Sequence, residues 1–189
     1  MPSKRIKPSW VRLSLGLTIL FVSLLILFGG AIKKTMLSKS FKDEPVNVQG
    51  FGQEDKEENP PTRIVIQELN IDLAVRKAPI VNGYWQVFED VAGWGEGTSS
   101  PGAAGNQVIF AHARRGLFLP LRNIKQGAKI EVYAGEDKYT YEVTEIKEVT
   151  PTQIEVIAPT QDETLTLYTC SGFSDSKRLI VVAKRQVLQ

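Results

Sequence analysis

From Arg63 onward the chain is written in short runs that alternate apolar and polar residues, and that period of two confines it to β-structure. RIVIQELNIDLAV opens the pattern and reads as one strand. A turn at Val81-Asn82-Gly83 precedes YWQVF. NQVIFAH, AKIEVYA, KYTYEVTEI, TLTLYTC and RLIVVAK are further strand candidates, with Gly135-Glu136-Asp137 marking another turn. Leu117 to Ile124 is the one stretch suited to a short helix or 3₁₀ turn. Many short strands with little helix predict an all-β barrel or sandwich over residues 63–189, enough chain to bury a single core.

What precedes that region differs in kind. Residues 13–32, LSLGLTILFVSLLILFGGAI, carry no charge. As a helix they would extend about 30 Å, the hydrocarbon thickness of a bilayer. A buried core helix or a cleaved signal peptide is the competing reading. The apolar run is long for either, and it ends in Lys33-Lys34, which favours an uncleaved signal anchor. Charge does not orient it, because Lys4, Arg5, Lys7 and Arg12 before the span are matched by Lys33, Lys34, Lys39 and Lys42 after it. A short tail at 1–12 and a large following domain suit an N-in anchor. Residues 33–62, with DEP, QGFGQ, EDKEEN and PP, have little to bury and read as a flexible stalk.

Composition excludes several functions. The 23 basic residues barely exceed the 21 acidic ones, too mild a balance for nucleic acid binding. One cysteine and one histidine cannot build a Cys/His zinc site, and no phosphate-binding loop pattern occurs. Gly93, Gly95 and Gly97 in GWGEG read as turn residues. Neither a metal nor a cofactor is expected.

The lone cysteine, Cys170, can form no intramolecular disulfide. Alternation in LTLYTC sets Leu165 and Leu167 on one face and Thr166, Tyr168 and Cys170 on the other, with the thiol at a strand end before SGFSDSK. A buried structural cysteine is the ordinary fate of such a residue. Against that stands Arg178, which begins the next strand after a short connection. Antiparallel pairing would return it beside Cys170, where a guanidinium favours a thiolate and can donate to an oxyanion. His112, the single histidine, ends the strand VIFAH and could supply acid/base chemistry, although a surface loop histidine looks the same in sequence. Nothing local brings His112 to Cys170.

At these residues the chain resembles the sortase family of cysteine transpeptidases, with class D- or E-like features. TLYTC is similar to the TLxTC signature, with an arginine soon after it. PGAAGNQVIFAH is similar to the PGxxGNxVIxGH stretch that carries the family's histidine, and RIVIQELNIDLAV resembles the family's first strand. The resemblance spans roughly Ile64 to Lys184 and implies an eight-stranded sortase-like β-barrel with short helices, preceded by one transmembrane helix. It further implies that Cys170 cleaves an LPxTG-like sorting signal after Thr and forms a thioester. His112 would shuttle the proton, and Arg178 would hold peptide and oxyanion. Ala111, Tyr168 and Thr169 are expected groove walls. The implied partners are surface proteins with C-terminal sorting signals and a cell-wall amine, the implied location the outer face of a Gram-positive-type membrane. Departures are informative: Ala111 replaces the usual glycine, GTSSPGAAGNQ lacks the acids of a calcium site, and the stalk lacks a DP-aromatic lid. These departures disfavour a pilin polymerase. A non-catalytic tethered β-domain, or a peptide hydrolase on the same fold, would carry the anchor and barrel equally well.

Overall fold

The computed structural model describes residues 59–186. The expected tail, membrane span and most of the stalk lie outside them. Among the described residues no helix is long and apolar enough to cross a membrane. The strands are β1 (Arg63–Ile66), β2 (Ile71–Ala78), β3 (Ile80–Val81), β4 (Tyr84–Trp85), β5 (Ala92–Gly95), β6 (Asn106–Phe110), β7 (Lys129–Ala134), β8 (Asp137–Val149), β9 (Thr164–Ser171) and β10 (Lys177–Arg185). Eight of them close a barrel in the order β1-β2-β5-β6-β9-β10-β8-β7, while β3 and β4 form a separate hairpin. The expected eight-stranded barrel is therefore present, with 3₁₀ turns at Gln67–Leu69, Leu119–Asn123, Ile154–Ile157 and Phe173–Asp175.

Two readings of the sequence need correction. RIVIQELNIDLAV is two strands, because the chain reverses at Asn70, whose φ of 52° lies in the left-handed region that asparagine tolerates. β1 and β2 then pair antiparallel, Ile66 opposite Ile71. Gly93 and Gly95 are strand residues of β5 rather than turn residues. They are glycine for space: a Cβ on Gly95 would lie 2.5 Å from the Trp85 ring, and one on Gly93 would lie 2.8 Å from Phe110. By contrast, Asn82-Gly83 forms the expected tight turn, both residues at positive φ, joining Val81 to Tyr84.

The inward positions of the barrel, among them Ile64, Trp94, Ile109, Leu167 and Val181, form the main core together with Leu121 of the 3₁₀ turn Leu119–Asn123. Neighbouring positions of opposite parity on β6, Val108 and Phe110, belong to a second cluster with Ala78, Trp85 and Ile157. This cluster covers the outer face where β6 runs parallel to β9. Burial on both faces explains why Asn106–Phe110 is buried throughout, as parallel strands generally are. Asn106 and Thr166, two of the polar residues caught there, are paired. Thr166 Oγ1 donates to Asn106 Oδ1 at 2.7 Å, and Asn106 Nδ2 donates to the Ala158 carbonyl at 3.0 Å.

At the rim, Thr62 N–H donates to the Tyr133 carbonyl, so ordered pairing starts one residue before β1. Arg63 grips Asp72 with two hydrogen bonds of 2.6 Å, which hold the Asp72 carboxyl below its ordinary range.

Two outcomes follow. Gly95→Ala should destabilise the barrel by roughly 1–3 kcal/mol, because the Trp85 ring is buried and must shift; urea unfolding at neutral pH measures it. Since the Asp72 carboxyl is depressed in the folded state, its contribution is present above the unfolded carboxyl range and disappears as pH falls through the lowered value. The stability gap between wild type and Asp72→Asn should accordingly close below about pH 4, read from urea midpoints against pH.

Candidate active site

β9 lies between β6 and β10, and its register assembles the site. On the β10 side the pairing is antiparallel, with Cys170 directly opposite Arg178. The expected return of the arginine across the short loop is thus what the fold does. On the β6 side the pairing is parallel, Val108 opposite Thr166 and Phe110 opposite Tyr168. Beyond the strand, Ala111 N–H still donates to the Tyr168 carbonyl at 3.3 Å. Carried two residues past Phe110, that register sets His112 level with Cys170.

Parity then decides the face. Leu165, Leu167, Ile109, Leu179 and Val181 point into the main core. Cys170, Arg178 and His112 have the opposite parity, so all three belong to the outer face, at one level of three adjacent strands. Strands lie about 4.8 Å apart, a spacing at which neighbouring side chains meet. The row is imidazole, thiol, guanidinium, with the thiol in the middle.

The three differ in exposure. Cys170 is half-buried and forms no disulfide. The His112 side chain is 16% exposed, and its Nε2 lies 3.7 Å from Glu89 Oε1. Glu89 is held in turn by Arg114, whose Nη2 donates to the other carboxylate oxygen at 2.6 Å and also to the Glu89 carbonyl. The His112 carbonyl accepts from Arg114 N–H at 2.9 Å and Phe118 N–H at 3.1 Å, so the segment after β6 curls back under the histidine. Arg178 is only 3% exposed. Its Nε donates to the Tyr168 hydroxyl at 2.8 Å, and its Nη1 donates to the carbonyls of Asp175 and Lys177 at 2.6 and 2.9 Å. Three hydrogen bonds compensate the burial of this cation.

The expected groove walls separate into two kinds. Ala111 and Thr169 are 6% and 2% exposed and share the inward parity, so their side chains belong to the frame that carries the site. Thr169 Oγ1 donates to the Ala111 carbonyl at 2.8 Å, which fastens the end of β9 to the segment bearing His112. Tyr168 is on the outer face and half-buried, its ring edge-on to Phe110 at 6.2 Å.

Two features of the site were not found from sequence. Glu89 carries no motif, and only the fold of the segment before β5 brings it to His112. Phe173 is 91% exposed in the loop between Cys170 and Arg178, where Gly172, Ser174 and Asp175 all have positive φ. An aromatic alone in a Ser/Gly loop was a readable signal. Among the described residues no group of three or more His, Cys, Asp or Glu side chains is placed to hold a metal ion.

A thiol flanked by an imidazole and a fixed guanidinium contains the parts that acyl transfer through a covalent intermediate requires. Comparisons with known proteins agree in kind. The family model for the sortase domain matches residues 64–186. Sortase A of Bacillus anthracis is 37% identical over 82 residues, 42% of this chain and 39% of that protein. Sortase A of Streptococcus agalactiae is 42% identical over 69 residues, 36% of this chain and 28% of that protein. These matches span well under half the length of the curated relatives. The solved structure of sortase A from Corynebacterium diphtheriae, a lid mutant, superposes with a TM-score of 0.61 at 26% identity, covering 75% of this chain and 78% of that one. For sortase C of Clostridium perfringens SM101 the TM-score is 0.58 at 26% identity, with 69% and 72% covered.

The half-buried thiol on the outer face should be alkylated by iodoacetamide in the native protein, giving a single adduct at Cys170 by mass spectrometry before any unfolding. A thiol that reacts only after denaturation would contradict its placement on that face.

Proposed function

The chain belongs to the sortase family, and on that premise we propose that it is a membrane-anchored cysteine transpeptidase that processes an LPxTG-like sorting signal. The observation that carries the proposal is the row His112–Cys170–Arg178 on one face of β9, β10 and the segment that continues β6. The Cys170 thiolate attacks the carbonyl carbon of the signal's threonine, giving a tetrahedral oxyanion. Arg178 holds the peptide and stabilises that negative charge. His112 donates a proton to the departing glycine nitrogen, without which an amide leaves poorly, and the intermediate collapses to a thioester. An amine of the cell wall then enters and loses a proton to His112. Its nitrogen attacks the thioester carbon, forming a new amide and releasing Cys170. No cofactor is required by these steps.

In the same reading residues 13–32 span the membrane with the N-terminus inside, and residues 33–62 are the stalk that holds the barrel at the outer surface. Surface proteins bearing a C-terminal sorting signal are the substrates. The thioester is equally open to water, so the acceptor decides between transfer and hydrolysis.

Cys170→Ala should abolish cleavage of a fluorogenic LPxTG-like peptide. His112→Ala and Arg178→Ala should each lower kcat/KM at least ~100-fold. With a glycine peptide added, wild type should yield mainly the ligated product by mass spectrometry. Cleavage that survives Cys170→Ala would refute the nucleophile, and a purely hydrolysed product would leave a hydrolase.

A further inference from the structure

A buried arginine beside a nucleophile is useful only if its plane is held. Arg178 donates to two backbone carbonyls and one phenol.

The carbonyls belong to Asp175 and Lys177, just before Arg178 in sequence. The phenol comes from another strand. Tyr168 is the diagonal neighbour of Arg178 across the β9–β10 ladder, since Arg178 opposes Cys170 and Ile180 opposes Tyr168. Long and aromatic side chains reach across such diagonals. The Tyr168 hydroxyl accepts from Arg178 Nε at 2.8 Å, and the guanidinium carbon lies 6.0 Å from the ring centroid.

Tyr168 is itself held from behind. Its ring packs edge-on against Phe110 at 6.2 Å, and Phe110 stacks on Trp85 at 5.5 Å and 13°. Trp85 Nε1 donates to the Glu96 carbonyl at 3.0 Å. Glycines 93 and 95 leave the space these rings occupy. A train of three aromatic rings therefore runs from β4 across β6 to β9 and ends on the arginine.

We propose that Tyr168 is a positioning residue, which fixes the Arg178 guanidinium beside Cys170. The proposal rests on the role given to Arg178 in the proposed transpeptidase reaction. It gives Tyr168 a different task from lining a peptide groove, because its hydroxyl is turned to the arginine.

The test compares the full chain as wild type, Tyr168→Phe, Arg178→Ala and the double variant. Tyr168→Phe keeps the ring and its packing and removes only the acceptor, so its melting temperature should stay within a few degrees of wild type. Its kcat for an LPxTG-like peptide should fall roughly 10-fold or more, with KM within about two-fold, because a hydrogen bond to a charged group has been lost. A second readout needs no turnover: the ratio of Cys170 alkylation rates by iodoacetate and by iodoacetamide, which reports the positive charge near the thiol. That ratio should fall in Arg178→Ala and in Tyr168→Phe, and the double variant should match Arg178→Ala alone.

Wild-type kcat in Tyr168→Phe while Arg178→Ala is inactive would overturn the positioning role and leave the proposed reaction intact. An equal loss in the alkylation ratio on adding Tyr168→Phe to either background would also overturn it, since Tyr168 would then act independently of Arg178. Full turnover in Arg178→Ala would instead overturn the role assigned to Arg178, and this inference with it.

Discussion

The central strand β9 is paired on both edges, parallel to β6 and antiparallel to β10, and the site exists only in that double register. A slip of one residue on either side would move a whole set of side chains to the other face of the sheet. Cys170 would then turn into the barrel, and one of the leucines would emerge in its place. Burial makes such a slip costly, since Leu165 and Leu167 fill the main core. Specific polar contacts add to this. Thr166 to Asn106 ties the start of β9 to β6, and Thr169 to the Ala111 carbonyl ties its end. Thr166, Thr169 and Asn106 are nearly inaccessible, so an unpaired hydroxyl or amide in any other register would cost about 1–3 kcal/mol.

That dependence also explains which parts of the site can be read along the chain. The pairing of Cys170 with Arg178 is local: a loop too short for a crossover leaves an antiparallel hairpin as the only connection. Placing His112 is a different problem. β6 and β9 are parallel, so β7 and β8 intervene in sequence before β9 returns beside β6. No spacing rule covers such a pairing, and only the resemblance of two motifs joined the histidine to the thiol. The membership of Thr169 in the frame was open to the same alternation that placed Leu165 and Leu167, because all three are odd positions of one strand. Motif adjacency obscured it. Gly93 and Gly95 misled for a physical reason, since glycine permits a turn and also permits a bulky neighbour, and composition does not separate the two uses. Glu89 had no signal at all; its approach to His112 depends on the path of a segment that contains no regular alternation.

The loop from Gly172 to Ser176 shows how closely the geometry of the arginine is tied to backbone strain. Ser174 and Asp175 both sit at positive φ, conformations that cost an L-residue of order 1 kcal/mol or more each. A longer loop would remove that strain. It would also remove what the tight turn provides, the Asp175 and Lys177 carbonyls brought back onto Arg178 Nη1. Those bonds to a buried cation are worth more than ordinary backbone contacts, and they are made only when the chain reverses this sharply. The strain and the arginine are therefore maintained together. Gly172 begins the reversal because a Cβ there would lie 2.9 Å from Ser176 Oγ, on a backbone already at φ 76°. One consequence is the exposure of Phe173, which a tight loop cannot fold back onto the barrel. The same economy of chain that sets Arg178 opposite Cys170 thus leaves an aromatic ring in solvent in the loop that follows the thiol.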